Sequence, residues 1–316
     1  MDNRKLGSAG LEVAPLALGG NVFGWTADEP TSFAILDAFV AGGFNLIDTA
    51  NSYSRWVPGH QGGESETVIG NWIASRGRHD DVVIATKVGS DMGLGHTCLR
   101  RDYIVKAAED SLRRLRVERI DLYQSHWDDE KTPLEETLEA YAQLMRQGKV
   151  RAIGASNLTA ERLGEALAVS RARNLPRYQT LQPHYNLYDR GSFEGPLQQL
   201  CISEGIGVIT YFSLAAGFLT GKYRSEADFG KSPRGPGMKK YLDVRGMKVL
   251  SALETVAQRH GATPAQAALA WLMAQPGVTA PIASATSVAQ LDELMAAARL
   301  SLDADSLRLL DGTREA

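Results

Sequence analysis

Short apolar runs recur along the chain, and most are followed by a stretch whose apolar positions repeat every three or four residues. The runs fall at residues 16–19, 44–48, 82–87, 120–126, 150–155, 178–182, 207–211 and 278–283. A short apolar run bounded by turn signals reads as a buried strand, and the three-to-four spacing reads as one face of a helix. Helical segments are expected at 31–41, 101–115, 134–147, 159–170 and 264–274. Several open on capping chemistry: Thr31 after Pro30, Ser65 ahead of a helical stretch, Thr159, and Thr263 with Pro264 in the first turn. Strand and helix in alternation mark a parallel α/β architecture. Eight such units in 316 residues fit a closed (β/α)8 TIM barrel better than an open sheet, which leaves edges to protect; eight strands also let side chains fill the interior. Before the first barrel strand, 4–6 and 11–13 flank Gly7-Ser8-Ala9-Gly10 and predict an N-terminal β-hairpin. No linker and no repeat of solenoid period interrupts the pattern, so residues 1–316 are expected to form a single barrel domain. The one long irregular stretch, 217–246, is rich in Gly, Pro, Lys and Arg and is expected to be a long loop that covers a ligand.

Composition narrows the function classes. A net charge of -3 with six His offers no field for a phosphate backbone or an anionic membrane, so neither nucleic acid nor membrane is an expected partner. No window approaches the roughly 18 apolar residues of a spanning helix, and the N-terminal segment lacks the apolar core of a signal peptide. Cys98 and Cys201 lie far apart and match no metal or redox spacing, as in a reducing compartment. A soluble, cytoplasmic protein without a metal site is expected; its oligomeric state is not legible.

In a barrel the active site lies at the C-terminal ends of the strands. Asp48 ends the second run, with Tyr53 five residues on; Lys87 ends the third, His126 the fourth, Ser156 and Asn157 follow the fifth, and Gln182 and Tyr211 end the sixth and seventh. Each alone has an ordinary structural role: a turn former, a rim charge, a hydrogen-bonded imidazole, packing surface. Together they bring a carboxylate, an ammonium, a phenol and an imidazole to one mouth. The set lacks a nucleophile with a His–carboxylate relay and lacks metal-ligand spacing. A phenol beside an ammonium, itself paired with a carboxylate, is equipment for protonating a forming alkoxide. On this reading the Lys87 charge is expected to pull the Tyr53 pKa down from its usual ~10.

These residues carry a pattern. The opening KLGSAGLEVAPLALGG, then FNLIDTANSY, ATKVG, IDLYQSHWDD, VRAIGASNL, LQPHYNLYDR, VITYFSLAAGFLTGKY and APIASATSVAQLDEL resemble, in order and spacing, the aldo-keto reductase superfamily over essentially the whole chain. The likeness is to its bacterial branch, related to potassium-channel β subunits. It implies a catalytic tetrad of Asp48, Tyr53, Lys87 and His126, with hydride transfer between NAD(P)H and an aldehyde or ketone and Tyr53 as proton donor. It also implies cofactor contacts by Gly20, Asn21, Asp48, Ser156, Asn157 and Gln182, the last three at the nicotinamide carboxamide. Tyr211 would stack under the nicotinamide ring. Phe212, Ser213, Leu214, Gly217 and Lys222 would cover the pyrophosphate, with Ser284, Thr286, Gln290 and Glu293 at the adenosine end. No GxGxxG fingerprint supports a Rossmann domain.

Two departures qualify the match. Thr286 and Leu294 stand where relatives often carry Arg and Asn at the 2'-phosphate, and Phe212-Ser213 stands where they more often have Ser-Pro. Phosphate is best held by Arg or Lys, so NADPH is expected as cofactor with the charge supplied by Arg224, Lys231, Arg234, Lys239 or Lys240, and NADH remains possible. Trp25, Trp56 and Trp127 are candidate substrate residues, with Phe23 and Tyr188 also expected at the rim; aromatic walls suit small-molecule carbonyl compounds. Arg55 and His60 are further candidates for a polar substrate. Rival readings are a sugar or alcohol dehydrogenase, a cofactor-binding regulatory subunit, and a barrel hydrolase or lyase using Asp48 with Glu66.

Overall fold

The apolar runs become strands because each is buried on both faces, the condition that parallel sheets impose. In the computed structural model, which describes residues 2–314, a hairpin comes first: β1 (Arg4–Lys5) pairs antiparallel with β2 (Glu12–Val13). The barrel strands follow as β3 (Ala17–Gly19), β4 (Leu46–Asp48), β5 (Val83–Val88), β6 (Ile120–Ser125), β7 (Val150–Ser156), β8 (Thr180–Gln182), β9 (Gly207–Thr210) and β10 (Val278–Ala283). All eight pair in parallel, each with its sequence neighbour, and β10 closes onto β3. This is the expected (β/α)8 TIM barrel. Met1, Glu315 and Ala316, included in the expected domain, lie outside the described residues.

Ten α-helices accompany the strands among the described residues: α1 (Glu29–Ala41), α2 (Glu64–Arg76), α3 (Arg101–Leu115), α4 (Leu134–Arg146), α5 (Ala160–Arg173), α6 (Pro196–Glu204), α7 (Val244–His260), α8 (Pro264–Ala274), α9 (Val288–Ala296) and α10 (Ala304–Asp311). Their apolar stripes pack on the strands in one large core. A smaller core fills the barrel interior, where Leu6, Leu11 and Val13 of the hairpin meet Leu46, Ala85, Leu122 and Ile209. The hairpin therefore plugs the N-terminal end, and the site forms at the other.

Three local expectations need correction. α1 is capped by Asp28, whose side chain accepts from the Thr31 backbone N–H, and not by Thr31. α2 starts one residue before Ser65 from a left-handed Gly63, so Ser65 lies in the first turn and turns its hydroxyl inward. Residues 217–246 are not an irregular loop. Short 3-10 segments run through the region, at Ala215–Thr220, which is kinked at the left-handed Ala216 and Gly217, at Glu226–Lys231 and at Gly235–Tyr241, and α7 has begun by Val244. A Ser225–Asp228 capping box and Asp243 at the start of α7 provide the local order that a Gly/Pro-rich composition conceals.

Candidate active site

Asp48 is the last residue of β4 and Lys87 the penultimate residue of β5; both point into the barrel with 1% and 0% of the side chain exposed. Burying either charge alone is costly, so each needs the other. Lys87 Nζ donates to Asp48 Oδ2 at 2.6 Å, to the Thr49 carbonyl at 2.9 Å and to the Tyr53 phenol oxygen at 2.8 Å. The Tyr53 hydroxyl in turn donates to Asp48 Oδ2 at 3.3 Å. Asp48 Oδ1 accepts from the amides of Gln182 at 2.9 Å and Gln124 at 3.3 Å. His126 lies one residue beyond β6, with its ring 6.0 Å from that of Tyr53. Its Nδ1 is 2.9 Å from Ser90 Oγ, which leaves Nε2 as the free polar atom of the ring.

The electrostatics correct one expectation. Burial, and then the Asp48 carboxylate, push the Tyr53 pKa well above its ordinary value. Enclosure and the anion at 3.3 Å outweigh the ammonium, so the phenol is held protonated. Burial lowers the Lys87 pKa while Asp48 opposes the fall. Burial and the Lys87 charge drive His126 well below the usual imidazole range. At neutral pH the site therefore combines a protonated phenol with a neutral imidazole.

These groups sit at one end of a cavity of about 820 Å3, lined by Asp48, Tyr53 and His126 but not by Lys87, which lies beneath them. Ser156, Asn157, Gln182 and Tyr211 line the same end. The Tyr211 hydroxyl donates to Asn157 Oδ1 at 2.7 Å, and its ring stacks on His184 at 5.2 Å, so its other face is the one available. Phe212, Ser213, Leu214, Gly217 and Lys222 form one wall. This wall turns sharply, with Phe212, Ala215 and Ala216 in the left-handed region at φ 52°, 48° and 55°. Asn21, Ser284, Thr286, Gln290 and Glu293 line the far part, where Ser284 Oγ donates to Asn21 Oδ1 at 2.6 Å.

Some candidates fall elsewhere. Gly20 is buried against α2 and Phe23, where a Cβ would approach Ser65 Oγ at 3.0 Å; Gly19 lines the cavity instead. Of the proposed loop cations, Lys231 and Arg234 line it. Arg224 pairs with Glu254, Lys239 pairs with Glu226, and Lys240 sits over the Tyr241 ring. Lys231 is already held by Asp228 at 2.7 Å. Arg234 rests over Trp25 at 5.6 Å, and no carboxylate among the described residues pairs with it. Trp25, Trp56 and Trp127 all border the mouth, with Trp25 and Trp56 edge-to-face at 5.5 Å. Phe23 is instead fully buried, and Tyr188 packs on Tyr241 away from the cavity. Arg55 binds the Asp91 carbonyl, and neither it nor His60 lines the cavity. Glu66 lies behind the sheet, held by Thr86 and Arg114, so it cannot act with Asp48 across a substrate. An open cleft of about 930 Å3 at the opposite, hairpin end contains none of these groups.

Sequence reading passed over Gln124, Ser90 and Thr49. Gln124 carried a signal: it is a polar residue two positions after the inward-facing Leu122, on a strand that otherwise reads as core.

Comparison with known proteins gives the following. The sequence model of the Aldo/keto reductase family matches residues 15–315. Protein tas of Escherichia coli is 34% identical over 344 residues, covering 100% of this chain and 98% of that protein. Aldo-keto reductase YhdN of Bacillus subtilis is 34% identical, covering 93% and 88%. A probable voltage-gated potassium channel subunit beta of Arabidopsis thaliana is 32% identical, covering 94% and 91%. Among the described residues no helix is long and apolar enough to cross a membrane.

Proposed function

The chain belongs to the aldo/keto reductase family, and from that premise we propose that it reduces aldehydes or ketones with NADPH, Tyr53 acting as the proton donor. The family acts on small-molecule carbonyl compounds with nicotinamide cofactors, so oxidoreductase chemistry follows from membership. The Tyr53–Lys87–Asp48 contact carries the rest, because it pairs a protonated phenol with the cation that stabilises it once ionised.

The donor set fits a dinucleotide. Amides and hydroxyls of Ser156, Asn157 and Gln182 match a carboxamide at the tetrad end, while Lys222, Lys231 and Arg234 on the same cavity match phosphate. Arg234 gives the strongest support for NADPH, being a guanidinium on the cavity without a carboxylate partner among the described residues. A nicotinamide held there would supply the hydride for the carbonyl carbon. Tyr53 gives its proton to the carbonyl oxygen as the alcohol forms. Lys87, fixed by Asp48, stabilises the phenolate left behind until water returns the proton. In the tautomer whose Nδ1 accepts from the Ser90 hydroxyl, 2.9 Å away, the His126 Nε2–H is free to donate to the carbonyl oxygen and orient it. Trp25, Trp56 and Trp127 supply the apolar walls of the substrate mouth. Two buried thiols, Cys98 and Cys201, accord with work in the cytoplasm by a single barrel domain.

The test is Tyr53→Phe, assayed at 340 nm with a panel of aldehydes and ketones. Losing a positioned general acid is expected to lower kcat by about 10²–10⁴-fold, with cofactor affinity nearly unchanged. Wild-type kcat in that variant would show the proton to come from elsewhere.

A further inference from the structure

Gln124 has no place in the chemistry above, yet it is fully buried inside the barrel beside the charges. Its position follows from register. In the parallel sheet Lys87 of β5 pairs with Gln124 of β6, and Gln124 pairs with Gly154 of β7, so side chains at these positions share one inward layer. Gly154 makes the room. A Cβ there would collide with the Thr180 hydroxyl and press on Gln124 Cγ at 3.1 Å. Across that gap the Gln124 amide reaches Asp48 Oδ1 at 3.3 Å, and its carbonyl oxygen accepts from Gln182 Nε2 at 3.4 Å.

Asp48 thus receives four donors, two on each oxygen: Lys87 and Tyr53 on Oδ2, Gln182 and Gln124 on Oδ1. Two of them have other work in the proposed reaction. Tyr53 turns to the substrate, and Gln182, which lines the cavity, turns its amide to the carboxamide. Gln124 does not line the cavity and cannot leave.

We propose that Gln124 is a positioning residue for the reduction, holding Asp48 Oδ1 when Gln182 is drawn to the cofactor and so keeping the carboxylate aimed at Lys87. The proposal rests on the functional reading above for what draws Gln182 and Tyr53 away. Gln124 itself touches neither cofactor nor substrate.

The decisive variants are Gln124→Met, which keeps the volume and removes the donor, and Gln124→Glu. An amide hydrogen bond to a charged group is strong enough that its loss should lower kcat about ten- to a hundredfold. The cofactor Kd, from quenching of tryptophan fluorescence, should stay within about threefold if the residue makes no cofactor contact. Gln124→Glu should regain activity as pH falls, because a protonated carboxyl donates to Asp48 Oδ1 whereas an ionised one repels it. The charged or titratable groups bearing on position 124 are Asp48 on β4, Lys87 on β5, Tyr53 in the loop after β4 and His126 just beyond β6. Only the introduced carboxyl distinguishes the variant's pH profile from that of the Met variant. A packing role would leave the two profiles parallel.

Side-chain 15N NMR gives a readout that needs no turnover. With Asp48 less firmly held, the Lys87 ammonium should lose its proton at lower pH in Gln124→Met than in the wild-type protein. Near wild-type kcat in Gln124→Met, or parallel Met and Glu profiles, overturns the proposal. Should the wild-type protein reduce no carbonyl, the functional reading fails by itself, and an unmoved Lys87 titration then overturns the role of Gln124 separately.

Discussion

Replacing Lys87 by methionine removes an ammonium that makes three hydrogen bonds and leaves its carboxylate partner behind. Asp48 Oδ2 lies 2.6 Å from Nζ, and neither side chain has more than 1% of its surface exposed. Removing one member of such a pair costs about 3–5 kcal/mol, because the other charge stays buried without compensation. Methionine keeps most of the apolar stem, so little is added from lost packing. Asp48 retains the Gln124 and Gln182 amides, which sets the expected loss at the lower end, about 3 kcal/mol. Asp48→Asn, which leaves the ammonium unpaired, should cost about the same. The double variant has no uncompensated charge, so its loss should fall below that of either single variant, where simple addition requires about 6 kcal/mol. Urea unfolding followed by tryptophan fluorescence measures all four proteins, and equal m-values ensure that like transitions are compared. Losses that add to within about 0.5 kcal/mol would show the two charges to be uncoupled, and the electrostatic reading of the site would fall with them.

Two further outcomes follow from the same geometry. The His126 pKa is depressed by burial and by Lys87 from an ordinary value of 6.5, so just below that pH the unfolded chain binds a proton that the native protein does not. Stability must then fall as pH falls, at up to about 1.4 kcal/mol per pH unit; His126→Gln should flatten that slope, and parallel curves for the two proteins would show the native imidazole to be charged. Arg234→Met should weaken NADPH binding about tenfold or more, the worth of a charge-assisted phosphate contact, with a smaller effect on NADH; equal losses for both would assign the guanidinium to the shared pyrophosphate and remove the basis for an NADPH preference.

The barrel was legible because its strands are short, apolar and separated by helices with ordinary caps such as Thr159 and Thr263. The convergence of Asp48, Tyr53, Lys87 and His126 was legible because each falls at or just beyond a strand end. The Tyr53 electrostatics were not. Sequence places an ammonium and a carboxylate near the phenol without saying which lies how far away or how deeply the ring is enclosed, and those two quantities decide the sign. Gly20 and Gly19 were interchangeable on paper, since which of the two adjacent glycines faces the cavity depends on the pairing of Gly19 with Asp48 and on the 3-10 turn that begins at Gly20. Residues 217–246 misled for a related reason: short 3-10 helices, one of them capped with Asp228, and an α-helix that starts only after Asp243 leave no periodicity to detect.

Along several strands the inward side chains follow one rule, an apolar or small residue and then a polar one two positions on. Leu46 precedes Asp48, Ala85 precedes Lys87, and Leu122 precedes Gln124. The period of two stacks these as layers, so the charges rest on an apolar floor that the hairpin seals from below. Water cannot reach Asp48 or Lys87 from that side, and above them Tyr53 and Gln182 close the layer. Each group is then solvated almost wholly by its neighbours in the layer. It follows that no member can be replaced for its chemistry alone: a substitution that changes proton transfer also changes which charges the interior must hold, and turnover and unfolding should respond together at these positions and separately at Trp25, Trp56 and Trp127 on the mouth.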